Sequence, residues 1–151
     1  MKRRLFGTLC AAWVLSAAVP AWAQGGADDA VALVKRAVAY YQEKGGASAL
    51  AEFNNPQGLF VDKNLFLFAI DLNGTVVANN ANPWAVGKKI LESKDGQGKY
   101  YIKAAIELSK TEQAGWVDYV WPNPGTRAQE PKSLYVERVD TVLVGCSVAK
   151  K

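Results

Sequence analysis

The sequence contains no histidine at any of its 151 positions. This absence excludes Ser-His-Asp and Cys-His catalytic arrangements, imidazole acid–base chemistry, and zinc sites that use imidazole ligands. The acidic residues are spread singly along the chain, so no pair of them suits glycoside hydrolysis. We therefore expect neither an enzyme nor a metal site, and we expect no cofactor.

Excess charge is also scarce once the N-terminus is set aside. The formal net charge is +4, but three of the basic residues, at positions 2–4, precede an apolar run over residues 5–23. This run ends in Ala-Trp-Ala, so the segment has the features of a secretory signal peptide that is cleaved before Gln24. Its removal leaves a net charge of +1, which gives no basis for binding nucleic acid or anionic membranes.

The sequence has only two cysteines, and Cys10 lies within the predicted signal peptide. The mature chain would keep Cys146 alone and form no internal disulfide. Cys146 lies in an apolar stretch, which predicts a buried, inert thiol rather than a redox site. No second long apolar run is present, so we expect residues 24–151 to be one domain that is periplasmic or secreted.

Three segments have helical periodicity. Apolar residues recur at spacings of three and four between Asp28 and Lys44, with acidic residues in the first turn and Gly45-Gly46 at the end. A short helix is predicted over residues 47–53, and another long one over residues 99–110. Residues 86–91 are predicted to form a brief helical turn within a loop at 79–98.

The remaining segments have strand character. Residues 65–70 are a continuous apolar run, and the following Asn73-Gly74 predicts a type I′ hairpin turn with residues 75–78 as the return strand. Residues 115–121, 132–139 and 142–148 are predicted as three further strands with short connections. Such connections imply an antiparallel meander, so the predicted fold class is α+β with about five strands.

Several segments, taken in order, resemble the single Cache domain, an extracytoplasmic PAS-like sensor module of bacterial receptors. The most specific stretch is GWVDYVWPNP at residues 115–124. The other matching pieces are LFLFAIDLNGTVVANN at 65–80, Gly87-Lys88, DGQGK at 95–99, EPKSLYV at 130–136 and VGC at 144–146. The resemblance implies a long N-terminal helix on one face of a curved antiparallel sheet and a small-ligand pocket on the other.

The resemblance also implies a position for the ligand. Lys132 is the candidate cation, because the family commonly places a ligand-contacting lysine at this strand start. The alternative is an exposed lysine at the end of a strand. Tyr119 and Trp121 share one strand face and are expected either to wall the pocket or to pack in the core. Tyr135 is a further candidate, although strand alternation directs it to the face opposite Lys132.

The loop after the hairpin supplies the last candidates. Many relatives carry a His-Pro pair where this chain has Asn79-Asn80. An asparagine can donate and accept hydrogen bonds but cannot become cationic, so ligand affinity should depend little on pH near neutrality. Trp84, with Asn82 and Pro83, is expected to form either a lid or an ordinary surface loop.

Two functions from different classes follow. The first is a sensor module that binds a small organic acid or similar metabolite, with a short carboxylate favoured. Because no output module follows in the sequence, it would signal through a separate, membrane-anchored partner chain. The second is a structural or accessory subunit of a membrane-associated complex that has kept the fold and lost the ligand. We expect no nucleic-acid partner in either case.

Overall fold

A computed structural model describes residues 25–150, so the predicted signal peptide and its cleavage site lie outside the described residues. The described helices are α1 (Ala27–Lys44), α2 (Gly46–Phe53) and α3 (Tyr101–Thr111), with a 3₁₀ turn at Pro83–Ala85. The described strands are β1 (Leu67–Asp71), β2 (Val76–Asn79), β3 (Ala114–Pro122), β4 (Gln129–Val139) and β5 (Val142–Ala149). The α+β class, the long N-terminal helix and the five-stranded sheet are as the sequence predicts.

The five strands form one antiparallel sheet in the order β2-β1-β5-β4-β3. Strands β3, β4 and β5 form the expected meander. The hairpin of β1 and β2 joins the meander at the free edge of β5, where β1 pairs with β5. This order makes β5 the central strand, which explains its near-continuous apolar sequence.

Helix α1 covers one face of the sheet. The negative charges of Asp28 and Asp29 in its first turn interact favourably with the helix dipole. The helix ends at Gly45, which has φ +82°. Its buried stripe packs against alternate residues of β1, β4 and β5. The stripe consists of Ala30, Leu33, Val34, Ala37 and Val38. This side of the sheet is therefore core rather than binding surface.

Helix α3 covers part of the opposite face. Its buried residues Ile102, Ala105 and Ile106 pack in a second cluster with Leu134, Val136 and Leu143. These strand residues alternate with those that face α1. The cleft-bearing side described below is the remainder of this second face.

The first hairpin differs from the predicted type I′ turn. Gly74 has φ +80°, whereas Asn73 is absent from the residues with positive φ. The turn has three residues, because the N–H of Gly74 donates to the carbonyl of Asp71 (3.0 Å) and the N–H of Asp71 donates to the carbonyl of Thr75 (2.9 Å). The Asp71 carboxylate also accepts from the N–H groups of Asn73 and Thr75. These bonds favour a type I turn followed by a left-handed glycine.

The segment between β2 and α3 reaches both edges of the sheet. At β2, the N–H of Gly87 donates to the carbonyl of Val76 (2.8 Å); at β3, the N–H of Gly96 donates to the carbonyl of Val120 (3.2 Å). The predicted helical turn at residues 86–91 is wrong: the turn lies earlier, at Pro83–Ala85, because the later residues pair with the β2 edge. The segment thus crosses the face opposite α1.

Asp95 fixes the β3 end of that crossing. Its carboxylate accepts hydrogen bonds from the backbone N–H groups of Gln97, Lys99 and Val120 at 2.8–3.1 Å. Desolvation acts to raise the pKa of this carboxyl, but the three donors outweigh it and hold the pKa below the usual value. The side chain therefore stays ionised and closes an otherwise open strand edge.

Cys146 lies on β5, facing the α1 core, and is fully buried. Desolvation raises the pKa of its thiol to about 12. Because the thiolate is the reactive form, we expect native protein to react slowly with a thiol reagent and denatured protein to react at once. Time-resolved labelling followed by mass spectrometry measures both rates. Rapid labelling of the native protein would show that β5 is exposed.

Candidate functional site

A cleft of about 270 Å³ opens on the face opposite α1, where β1 begins and β5 ends. Its described lining mixes aromatic, amide and hydroxyl groups with one lysine. The lining residues are Asn64, Phe66, Leu67, Phe68, Asn79, Ala81, Asn82, Lys132 and Ser147. A small ligand with one charged end and one apolar end matches this composition.

Lys132 is the cation of the cleft. It lies on β4 directly opposite Tyr119 of β3 and is half-buried. Within residues 25–150 its ammonium group makes no ion pair or hydrogen bond. By contrast, Lys103 forms an ion pair with Glu92, and Lys150 forms one with Asp118. The donors of the Lys132 ammonium therefore have no partner in the described part of the chain.

Tyr119 closes the β3 side of the site. Its hydroxyl donates to Oγ of Ser147 (2.9 Å), so the side chain reaches across β4 to β5. The ring stacks on Tyr101 of α3 at a centroid distance of 4.6 Å and an interplanar angle of 8°. Desolvation raises the pKa of Tyr119, and raises that of Tyr101 to about 12, so both phenols are neutral near pH 7.

Trp121 extends this aromatic group outward. Its ring makes edge contacts with Tyr101 (6.0 Å) and Tyr119 (6.3 Å), and the side chain is partly exposed. The pair Tyr119–Trp121 thus lies on the Lys132 face, as strand alternation predicts. Neither residue is among the lining residues of the cleft. Of the two, Tyr119 reaches a lining group, through the hydrogen bond from its hydroxyl to Ser147.

The two asparagines after β2 have different surroundings. The Asn79 side chain lines the cleft, and its Oδ1 accepts from the N–H groups of Ala81 and Asn82 (3.1 and 2.9 Å). Asn80 is buried: its Oδ1 accepts from the N–H of Leu67 (3.0 Å) and its Nδ2 donates to the carbonyl of Phe60 (2.9 Å). Asn79 is therefore available at the cleft, whereas Asn80 holds the chain that forms the cleft wall.

Two of the candidate residues lie away from the cleft. Tyr135 faces α1, where it packs in the first core cluster and against Trp116 at a centroid distance of 5.1 Å. The structure therefore separates it from Lys132, because adjacent strand residues point to opposite faces. Trp84 is 70% exposed, its ring lies under the ammonium of Lys88 at 4.0 Å, and it is not among the lining residues of the cleft.

Sequence reasoning missed six lining residues, which are Asn64, Phe66, Leu67, Phe68, Ala81 and Ser147. Phe66 and Phe68 were included in a buried strand, although their period-two spacing places both on the Lys132 face. Ser147 follows Cys146 and so faces the cleft when the cysteine faces the core. Strand alternation around Cys146 is the signal that could have identified Ser147.

Within residues 25–150 no acidic side chain lines the cleft, and no group of three or more Cys, Asp or Glu is placed to hold a metal ion. The nearest acid on the same strand face, Glu130, accepts a hydrogen bond from the Asn123 amide (2.7 Å). None of the described helices has the length and apolar composition needed to cross a bilayer. The cleft thus carries one positive charge and no negative charge from its described lining.

Comparison with known proteins agrees with this architecture. A family model described as the Cache domain matches residues 41–142. The methyl-accepting chemotaxis protein McpP of Pseudomonas putida is 27% identical over 107 residues, which are 66% of this chain and 20% of the receptor. The chain therefore spans about one fifth of the length of that curated relative.

Solved structures share the fold. A Cache chemosensory domain, in a structure titled for its carboxylic acid recognition, is 25% identical with a TM-score of 0.67 over 82% of this chain and 92% of that one. A methyl-accepting chemotaxis protein from Vibrio parahaemolyticus has 22% identity and a TM-score of 0.65, covering 81% and 86%. A periplasmic sensor domain of a chemotaxis protein has 23% identity and a TM-score of 0.62, covering 82% and 90%. The chain belongs to the Cache domain family of extracytoplasmic sensor modules.

Proposed function

We propose that this chain is an extracytoplasmic sensor module that binds a short organic monocarboxylate, with Lys132 as the cation that receives the carboxylate. The observation that carries the proposal is that the half-buried residue Lys132 lines a cleft with aromatic walls, and that its ammonium has no ion-pair or hydrogen-bond partner in residues 25–150. A desolvated carboxylate needs such a charge-assisted donor to replace the water it loses.

The charges of the cleft narrow the ligand class. A second carboxylate on the ligand would find no second cation in the described lining, and an ammonium group would find no acid. Burying either group without a counter-charge is unfavourable, so dicarboxylates, amino acids and amines should bind less tightly than monocarboxylates. The solved Cache domain studied for carboxylic acid recognition supports the broader class, a carboxylic acid.

The remaining polar groups suit the ligand oxygens. Asn79 and Ser147 line the cleft together with Lys132 and can donate hydrogen bonds to a carboxylate or to a substituent beside it. Phe66 and Phe68 supply apolar surface for the alkyl end. Lys132 thus fixes the charged end, and the two phenylalanines select against bulky polar chains.

A thermal-shift and calorimetry screen of the purified chain tests this proposal. The panel is acetate, propionate, pyruvate and lactate, with succinate, alanine and propylamine as charge controls and propionamide as the neutral control. At 100 times the dissociation constant a ligand stabilises by about 2.7 kcal/mol, so a shift in Tm of roughly 5–15 °C is expected for a bound monocarboxylate. Binding of amines or dicarboxylates alone would contradict it, and no binding at all would favour the accessory-subunit alternative.

Signalling requires an output partner in this proposal. The related receptor is a methyl-accepting chemotaxis protein, and this chain aligns with only a fifth of it. By analogy with that receptor, we propose that the ligand-bound domain acts through a membrane-anchored partner chain.

The proposed location predicts a specific mature N-terminus. Signal peptidase cleavage after Ala23 should leave Gln24 first, with cyclisation to pyroglutamate as an expected modification. Mass spectrometry of the extracytoplasmic fraction measures this directly. Detection of residues 1–23 on the exported chain would instead indicate a membrane-tethered protein.

A further inference from the structure

Gly145 lies directly opposite Phe68 in the pairing of β5 with β1, on the face that bears the cleft. A Cβ atom at position 145 would lie 2.8 Å from Cζ and 2.9 Å from Cε1 of Phe68. Carbon atoms in favourable contact are about 3.5–4.0 Å apart, so no side chain fits beneath the ring. The ring of Phe68 therefore lies against the backbone of β5 because residue 145 is glycine.

The directions open to a displaced ring are limited. Leu134, which is buried beneath α3, would itself be 3.2 Å from a Cβ at position 145, so this side is filled. Phe68 is only partly buried, and its free side faces the cleft that it lines. A side chain at position 145 would turn the ring toward the space occupied by the ligand.

We propose that Gly145 sets the depth of the cleft: the missing Cβ lets Phe68 lie flat as the floor on which the alkyl part of the bound acid rests. This inference rests on the proposed function for its ligand. It assigns a specificity role to two residues beyond Lys132. The same clash makes Gly145→Ala a change that fills the cleft from below without altering any charge.

A double-mutant cycle isolates the effect. Gly145→Ala is measured in the parent and in a Phe68→Leu background, where leucine has no ring end to meet the new methyl group. With propionate as the probe, Gly145→Ala should raise Kd at least about tenfold in the parent, because a displaced ring removes contacts equal to several methylene groups. In the Phe68→Leu background the same change should alter Kd by less than about twofold, the scatter of uncoupled sites.

A structural measurement separates this inference from the proposed function. The crystal structure of Gly145→Ala should show the Phe68 ring displaced into the cleft, whether or not a carboxylate binds. Gly26→Ala is the matched control, since a Cβ there meets nothing within 4 Å. An unmoved ring, an equal loss of affinity in both backgrounds, or a Gly145→Ala protein that folds only with Phe68→Leu would overturn the inference. If the parent protein binds no monocarboxylate, the proposed function fails. The position of the Phe68 ring in the Gly145→Ala structure then decides the inference about Gly145.

Discussion

Replacement of Lys132 by methionine is expected to raise the Kd for a short monocarboxylate at least about tenfold while leaving the fold intact. The ammonium supplies a charge-assisted hydrogen bond of roughly 1.5–3 kcal/mol, and each 1.4 kcal/mol changes Kd tenfold. Methionine keeps the length and apolar stem of lysine without its charge. Since Lys132 makes no ion pair or hydrogen bond in residues 25–150, its removal leaves no protein group unpaired.

A neutral ligand sharpens this test. Propionamide has the shape of propionate without its charge, so the parent should prefer propionate and Lys132→Met should bind the two alike. Lys132→Arg, which keeps the charge, should retain part of the affinity. Calorimetry with both ligands on all three proteins provides the comparison.

The matched control is Lys35→Met, which removes the same charge from an exposed position on α1. It should bind propionate as the parent does, because α1 covers the other face of the sheet. If Lys132→Met binds as tightly as the parent with an unchanged Tm, Lys132 is only a surface residue. The anion site would then have to lie elsewhere, near Arg127, Arg138 or the Asn79–Trp84 loop.

The long elements of this fold are predictable from local pattern. Helix α1 was predicted to begin at Asp28 and begins at Ala27, and the strand predicted at residues 115–121 extends over Ala114–Pro122. In both segments a strong apolar period agrees with the burial that the tertiary structure imposes. Local pattern and packing therefore point to the same assignment.

The errors occur where a partner outside the predicted segment decides the local structure. The turn at Asn73-Gly74 depends on the Asp71 carboxylate, and residues 86–91 take their shape from pairing with β2. Tyr135 shows a different difficulty. The alternation of β4 predicts that Tyr135 lies on the strand face opposite to that of Lys132, but the resemblance to relatives kept Tyr135 among the candidates. The structure places it against α1. Backbone geometry was the better guide here.

Asn80 was the least predictable residue of the site, because its partners are 13 and 20 positions away in sequence. It is 2% exposed, and its amide pairs with the backbone of two buried residues, Leu67 and Phe60. The segment that it secures continues into Asn82 at the cleft. We therefore expect Asn80 to govern both the stability of the domain and the shape of the cleft wall.

Replacing Asn80 by leucine is expected to destabilise the protein by about 2–5 kcal/mol. The substitution keeps the number and branching of the side-chain heavy atoms but leaves the N–H of Leu67 and the carbonyl of Phe60 without their side-chain partners, at about 1–3 kcal/mol for each buried unpaired group. For a domain of this size the loss corresponds to a fall in Tm of roughly 8–20 °C. Asn80→Asp should also destabilise the protein, since it keeps the acceptor for Leu67 but places a buried, unpaired carboxylate against the carbonyl of Phe60.

Asn82→Leu is the control for this series, because Asn82 lies two residues away in sequence and is exposed. Its free energy of unfolding should remain within about 0.5 kcal/mol of the parent. Chemical denaturation of the four proteins, together with their Kd values for propionate, separates the two roles of Asn80. An Asn80→Leu protein as stable as the Asn82→Leu control would show that the buried amide does not hold the cleft wall. A stable variant that lost only propionate binding would indicate instead that Asn80 contacts the ligand.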